Sequence, residues 1–371
     1  MKRTATSILT AISVLSVWST TATTNAATSE LATKKPSYLY GPDHMKVRNK
    51  EYGVLPGSYI AHYTSDQLSS LYDAQRKKWH SLPTDGGYLV KKKKSLYLFG
   101  MLNTNAYQFN VQQQKATPLK GKWSPYFVTN LSQNDLMLSN REPDIRQSRI
   151  YYGTPTTLAK GPLLTGIFGV GWRDAASKEL WVATNSLDMK DEQHVKKGYV
   201  YRISKDGKHI RTSFTLPHGD FTSVVPIKTP NFLLTGKKVW YRVNTKKHTV
   251  QSMKNPLQDE RLEVIQTFPY EKGSVVIVMN RDQVADHFQL VYLSSKGTIE
   301  KKRTIHYPAS LYEFQRKGHY LYVGSQIVSS SNIGGHIGII DLRSGKVVAQ
   351  RLLPTPRQKE EQSFIHFQVN D

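Results

Sequence analysis

The chain contains no cysteine among its 371 residues. That absence excludes disulfides, a thiolate nucleophile, zinc–thiolate centres and a lipid-modified cysteine. Beyond residue 26 no run is apolar and long enough to span a bilayer as a helix, which takes about 20 residues. Acids are scarce, with 28 Asp and Glu against 51 Lys and Arg and a formal charge of +23. Catalytic signatures are missing as well. There is no G-x-S-x-G elbow, no H-E-x-x-H pair, no Walker loop and no S-x-D-x-G-x-T-W box. Ser204-Lys205-Asp206-Gly207 comes near the last of these, but its glycine falls one place early and it reads as a hairpin turn. The glycines at 166, 169 and 171 continue as a strand, so they do not form a nucleotide loop. No motif requires a cofactor or a metal ion.

Aromatic residues make up 11% of the chain and are scattered throughout, which argues against disorder and for a packed core. The N-terminus reads as an address. Lys2 and Arg3 precede an apolar run, ILTAISVLSVW from Ile8, and Thr24-Asn25-Ala26 places small residues at a cleavage site. We expect residues 1–26 to be a secretory signal peptide and 27–56 to be a polar lead-in. A cysteine-free export product fits a bacterial secreted protein with one large core instead of disulfide staples.

From residue 57 onward one unit repeats: four short strands of alternating or continuous apolar character, ending near a proline or glycine. The clearest copy runs SLYEFQ from Ser310, HYLYVGS from His319, HIGIIDL from His336 and KVVAQRLLP from Lys346. An earlier copy runs EVIQTF from Glu263, SVVIVMN from Ser274, HFQLVYL from His287 and TIEKKRTIHYP from Thr298. Unit ends near Pro83, Gly121, Pro162, Pro217, Pro256, Pro308 and Pro354 give a spacing of roughly 45 residues, the length of a propeller blade. The N-terminal copy lacks an inner strand, and SFIHFQV from Ser363 is an inner strand with no blade after it. The two fragments complete each other. The expectation is an all-β fold, a seven-bladed β-propeller over 57–371, with the C-terminal strand closing the ring in the first blade.

The blade sequences, LYVGS with GIIDLRSGKVV above all, resemble the broad propeller superfamily of YVTN, quinoprotein-like and lyase-like repeats. The resemblance is at the level of the repeat. It implies the fold and names no activity, since propellers host binding modules, scaffolds and several enzyme classes.

Two sets of residues stand out on such a scaffold. Inner strands begin with His218 and Asp220, Glu263, Glu313 and His366 around the channel. His218, Asp220 and His366 are the candidates for general-base chemistry of a lactonase- or lyase-type enzyme. The alternative is that inner strands begin with polar residues because the channel holds water. The second set is cationic. Turns between the first and second strands, and between the third and fourth, share one end of a propeller. They carry Lys91, Lys92, Lys93, Lys94, Arg316 and Lys317, and Arg76, Lys77, Lys78, Lys246 and Lys247. Such an end would attract an anionic cell-wall polymer or acidic polysaccharide, more weakly as salt rises. Equally, lysine is a common and soluble turn residue.

Most aromatics alternate inside strands and should be packing, so sequence-specific nucleic-acid recognition is not expected. Two longer connections, 187–197 and 326–335, lie at the other end, where a protein partner could dock. Asp188, Asp191, Glu192 and His194 in the first read as a solvated loop. The expected function is that of a secreted, wall-associated binding module, with the channel-mouth enzyme as its alternative.

Overall fold

The computed structural model describes residues 59–369 except 66, 102–103, 122, 124, 133, 141, 143, 145, 189–190, 229, 281–286, 308–311, 329–332, 354–355 and 357–362. The signal peptide and lead-in expected over 1–56 lie outside the described residues.

The chain forms strands and turns, and among the described residues no helix. It starts with β1 (Tyr59–Thr64), β2 (Ser69–Asp73) and β3 (Lys78–Leu82). The second blade is β4 (Tyr88–Lys92), β5 (Ser95–Phe99), β6 (Ala106–Asn110) and β7 (Lys115–Pro118). The third is β8 (Pro125–Asn130), β9 (Leu136–Asn140), β10 (Gln147–Gly153) and β11 (Ala159–Thr165). The fourth is β12 (Ile167–Arg173), β13 (Leu180–Asp188), β14 (Asp191–Ile203) and β15 (Ile210–Leu216). The fifth is β16 (Ser223–Pro226), β17 (Asn231–Thr235), β18 (Val239–Asn244) and β19 (Thr249–Lys254). The sixth is β20 (Leu262–Tyr270), β21 (Gly273–Asn280), β22 (His287–Leu293) and β23 (Ile299–His306). The seventh is β24 (Tyr312–Lys317), β25 (Tyr320–Val328), β26 (Ile333–Asp341) and β27 (Lys346–Leu352), and β28 (Ser363–Val369) follows.

These strands make seven four-stranded antiparallel sheets, and β28 pairs with β1 to complete the first blade in the order β28-β1-β2-β3. The first strands of successive blades approach one another, β4 beside β8, β12 beside β16, β16 beside β20 and β24 beside β28, which makes them the inner ring. The molecule is therefore a seven-bladed β-propeller. Full closure leaves β1 without an open inner edge.

Burial explains the sequence pattern. Seven apolar clusters lie between neighbouring blades, so the middle strands are covered on both faces. β5 is buried along its whole length, and β21 at all but its ends, which is why they read as continuous apolar runs. The outermost β15 and β19 have one wet face and read as alternating. Trp181 and Trp240 are fully buried in two of the interblade clusters, and trimming either to alanine would cost about 3–5 kcal/mol.

Two expectations change here. Residues 187–197 and 326–335 are not loops for most of their length. β13 and β14 continue as a ladder to the pairs Leu187↔Val195 and Asp188↔Asp191. β25 and β26 do the same, ending with Gln326↔Gly335 and Val328↔Ile333. Backbone pairing extends the hairpins because antiparallel strands joined by a short turn gain a ladder bond with each added pair.

Candidate functional site

Each blade sends its first-to-second and third-to-fourth turns to one end of the propeller, and its remaining connections to the other. At the first end the hairpins between β2 and β3 and between β18 and β19 expose Arg76, Lys77, Lys78, Lys246 and Lys247. The hairpins after β4 and β24 expose Lys93, Lys94, Arg316 and Lys317. Six non-glycine residues in the described hairpins of this end take a left-handed backbone, Lys77 at φ 55°, Lys93 at φ 51°, Gln114 at φ 55°, Lys178 at φ 61°, His248 at φ 53° and Glu271 at φ 49°. Glycine holds that conformation without strain, whereas a side chain costs roughly 1 kcal/mol there.

Two of the sequence-selected lysines are not surface groups of this kind. Lys92 is only 5% exposed. Its ammonium donates to the carbonyls of Ser132 (2.6 Å) and Asp135 (2.7 Å) and to the Asn130 amide oxygen. Burial lowers its pKa to about 8, with Asp135 opposing. Lys92 thus ties the second blade to the first turn of the third, and it cannot reach a polymer. Strand alternation is the reason: in β4, Lys92 follows Val90 on the inward-facing register, while Lys93 and Lys94 are in the turn. Lys91 donates to the Val369 carbonyl at 3.3 Å and so ties β4 to the closing strand.

Within the same end, a groove of about 780 Å³ opens between the fourth and fifth blades. Its lining includes Asp174, Glu179, Arg202, Lys205, Arg211 and Lys246. None of Arg202, Arg211 and His248, which also lines it, carried a sequence signal, because the groove joins four hairpins of two blades.

The channel-mouth candidates separate into two groups. His218 is exposed on the connection between β15 and β16. Asp220 follows at φ 60°, half-buried, with its carboxyl accepting from the Lys237 backbone N–H. Burial raises the Asp220 pKa to about 6, against the pull of Lys237 and His218 and with the help of Glu263. Lys237 in turn lies 3.3 Å from the buried carboxylate of Glu263. The second group joins the seventh blade to the first. His366 Nδ1 lies 3.4 Å from Glu313, and its Nε2 lies 3.2 Å from the Gly87 carbonyl. Glu313 also accepts from the Phe367 N–H at 2.6 Å. Burial depresses the His366 pKa, but Glu313 and the Gly87 carbonyl outweigh it and the net shift is upward. The His366 ring thus sits between Glu313 of the seventh blade and the Gly87 carbonyl at the start of the second. Its neighbour His62, fully buried, was not found from sequence; nothing marks it until β1 and β28 are paired. Among the described residues no group of three His, Asp or Glu is arranged to hold a metal ion.

No protein-family model matches the chain, and no curated protein is detectably similar to it in sequence. Solved structures share the architecture. AztD from Citrobacter koseri superposes with a TM-score of 0.52 at 11% identity, over 81% of this chain and 83% of that one. A putative 6-phosphogluconolactonase from Bacteroides fragilis gives 0.51 at 10% identity, over 80% and 98%. A protein from Lactobacillus plantarum gives 0.51 at 14%, over 85% and 99%. Likeness at this level of identity carries the fold alone.

Proposed function

We propose that this propeller is a secreted binding module, held on anionic envelope polymers by the turn end that carries Arg76, Lys77, Lys78, Lys93, Lys94, Lys246, Lys247, Arg316 and Lys317. The observation that carries the reading is the exposure of these nine cations in hairpins at one end of the ring. An array of like charges on one rigid end attracts a polyanion from a distance, and the attraction weakens as salt screens it.

The test is retention of the mature chain on purified Gram-positive cell wall across a salt series, beside a Lys77→Gln, Lys93→Gln, Lys94→Gln triple variant. Retention that falls with salt and is weaker in the variant supports the reading. Retention that is absent at low salt, or unchanged in the variant, overturns it.

A second reading rests on Asp220. A half-buried carboxyl beside His218 and Lys237, able to exchange a proton near neutrality, suits proton transfer at the channel mouth. The putative lactonase among the similar structures suggests the substrates to try. Turnover of sugar lactones that is lost in Asp220→Asn would favour an enzyme over a binding module.

A further inference from the structure

The groove between the fourth and fifth blades has an electrostatic arrangement that the turn lysines elsewhere lack. Its acids are all consumed internally. Glu179 accepts both arms of the Arg202 guanidinium, at 2.7 and 2.9 Å. Asp174 accepts from the Ser177 N–H (2.8 Å), the Ser177 hydroxyl (2.7 Å) and the Thr245 hydroxyl (3.0 Å), which pins the turn after β12 to the turn after β18. Asp206 accepts from the Ser204 hydroxyl and the Lys208 N–H. The cations are not consumed in the same way. Lys205, Arg211 and Lys246 are exposed, line the groove from two hairpins, and have no partner among the described residues. Arg202 also points an N–H at His248 Nδ1, 3.3 Å away. In that contact Nδ1 accepts, so the ring proton sits on Nε2 and His248 adds another donor.

We infer that this groove is a seat for one phosphate-bearing sugar or polyol unit of an anionic chain. The inference rests on the proposal that this end of the propeller binds polyanions, and it goes further by naming where and what. Two considerations select phosphate. A carboxylate offers two coplanar oxygens and is satisfied by a single guanidinium, as Glu179 is by Arg202. Donors that line the groove from Lys205 and Arg211 of the fourth blade and Lys246 and His248 of the fifth suit a group that accepts in several directions. The volume, about 780 Å³, lies in the range of ligand pockets and has room for the unit as well as its phosphate. The Arg202–Glu179 pair and the Asp174 hydrogen bonds hold the walls in place before binding, so little ordering is left to oppose it.

The test is calorimetric titration of the whole chain with a short glycerol-phosphate oligomer, and with an oligogalacturonate of equal charge. The expected result is one saturable site for the phosphate oligomer. An Arg211→Gln, Lys246→Gln variant should weaken it about tenfold or more. A Lys160→Gln, Lys302→Gln variant, with the same loss of charge on exposed outer strands, should leave it unchanged. All four positions are exposed, so thermal melting of both variants should match the parent. Equal losses in the two variants, or equal affinity for the carboxylate oligomer, would overturn the assignment. So would the absence of a saturable site in a protein that still shows salt-sensitive wall retention, and in that case the polyanion-binding end would stand without the groove. Failure of both assays would remove both readings.

Discussion

His62 and His366 stack ring on ring across the ladder that closes the propeller, with centroids 5.8 Å apart and planes 14° from parallel. One comes from the first described strand and the other from the last. His62 is held by Ser69 at 3.1 Å and His366 by Glu313 and the Gly87 carbonyl. The closing strand is also stitched to the seventh blade through Gln315, which donates to the Phe367 carbonyl and accepts from the Val369 N–H at 3.1 Å. The last strand is therefore bound on three sides, by β1, by β24 and by the start of β4.

A chain stopped before Ser363 should fail to form a stable ring. It would leave β1 with an open edge and expose the cluster built around Phe367, Tyr59 and Tyr63. The expected outcome is loss of a cooperative melt and rapid proteolysis at native temperature. A truncated chain that melts as the parent does would show that β28 is dispensable.

Acid should destabilise the fold through its buried histidines. His336 is buried, shares a hydrogen bond with the Tyr307 hydroxyl at 2.6 Å, and has its pKa pushed down by burial to about 4. His62 is lowered as well, by burial first and by His366 second. In the unfolded chain both sit near 6.5 and take up protons first. Stability is therefore full above about 6.5 and falls as pH drops towards 4, with His336 alone withdrawing on the order of 3 kcal/mol when the titration is complete. His366 runs the other way, because its raised pKa stabilises the fold at low pH and that contribution fades as pH rises. Melting temperature measured from pH 8 to 4 should fall through this window, and less steeply in a His336→Gln variant. A flat profile would refute the assignment.

Lys92 and Lys93 should separate cleanly. Lys92→Met leaves two carbonyls and an amide oxygen without their donor in a buried turn, and should cost about 1–3 kcal/mol. Lys93→Gln should leave stability within about 0.5 kcal/mol while weakening wall retention. Chemical denaturation of the two variants checks the first statement, and the salt series checks the second.

Asp220→Asn should stabilise the protein at neutral pH. The carboxyl titrates near 6 in the fold and near 3.8 in the unfolded chain, so its contribution turns unfavourable as pH rises between those values. Asparagine tolerates the φ of 60° and carries no charge to desolvate. A gain of roughly 1–2 kcal/mol at pH 7.5 that disappears below pH 4 is expected from denaturant titrations at the two pH values. An equal effect at both would point to backbone geometry instead.

Architecture was legible in the sequence because a blade is a local object. Its strands are consecutive, its turns are short, and interblade packing writes apolar runs at β5 and β21 and alternation at β15 and β19. Even ring closure could be read, from one inner strand missing at the start and one left over at the end. The site was legible only in part. Composition shows that the turns are basic, but it does not distinguish Lys92, turned inward to cap a neighbouring blade, from Lys93 one residue later. Nor does it show that Glu313 would engage His366, or that Asp174 would pin two hairpins of a groove carrying three cations without partners. Those relations join residues from different blades, and their distances are set by how the sheets pack around the ring. Local sequence specifies each blade; the assembled ring decides which of their side chains meet.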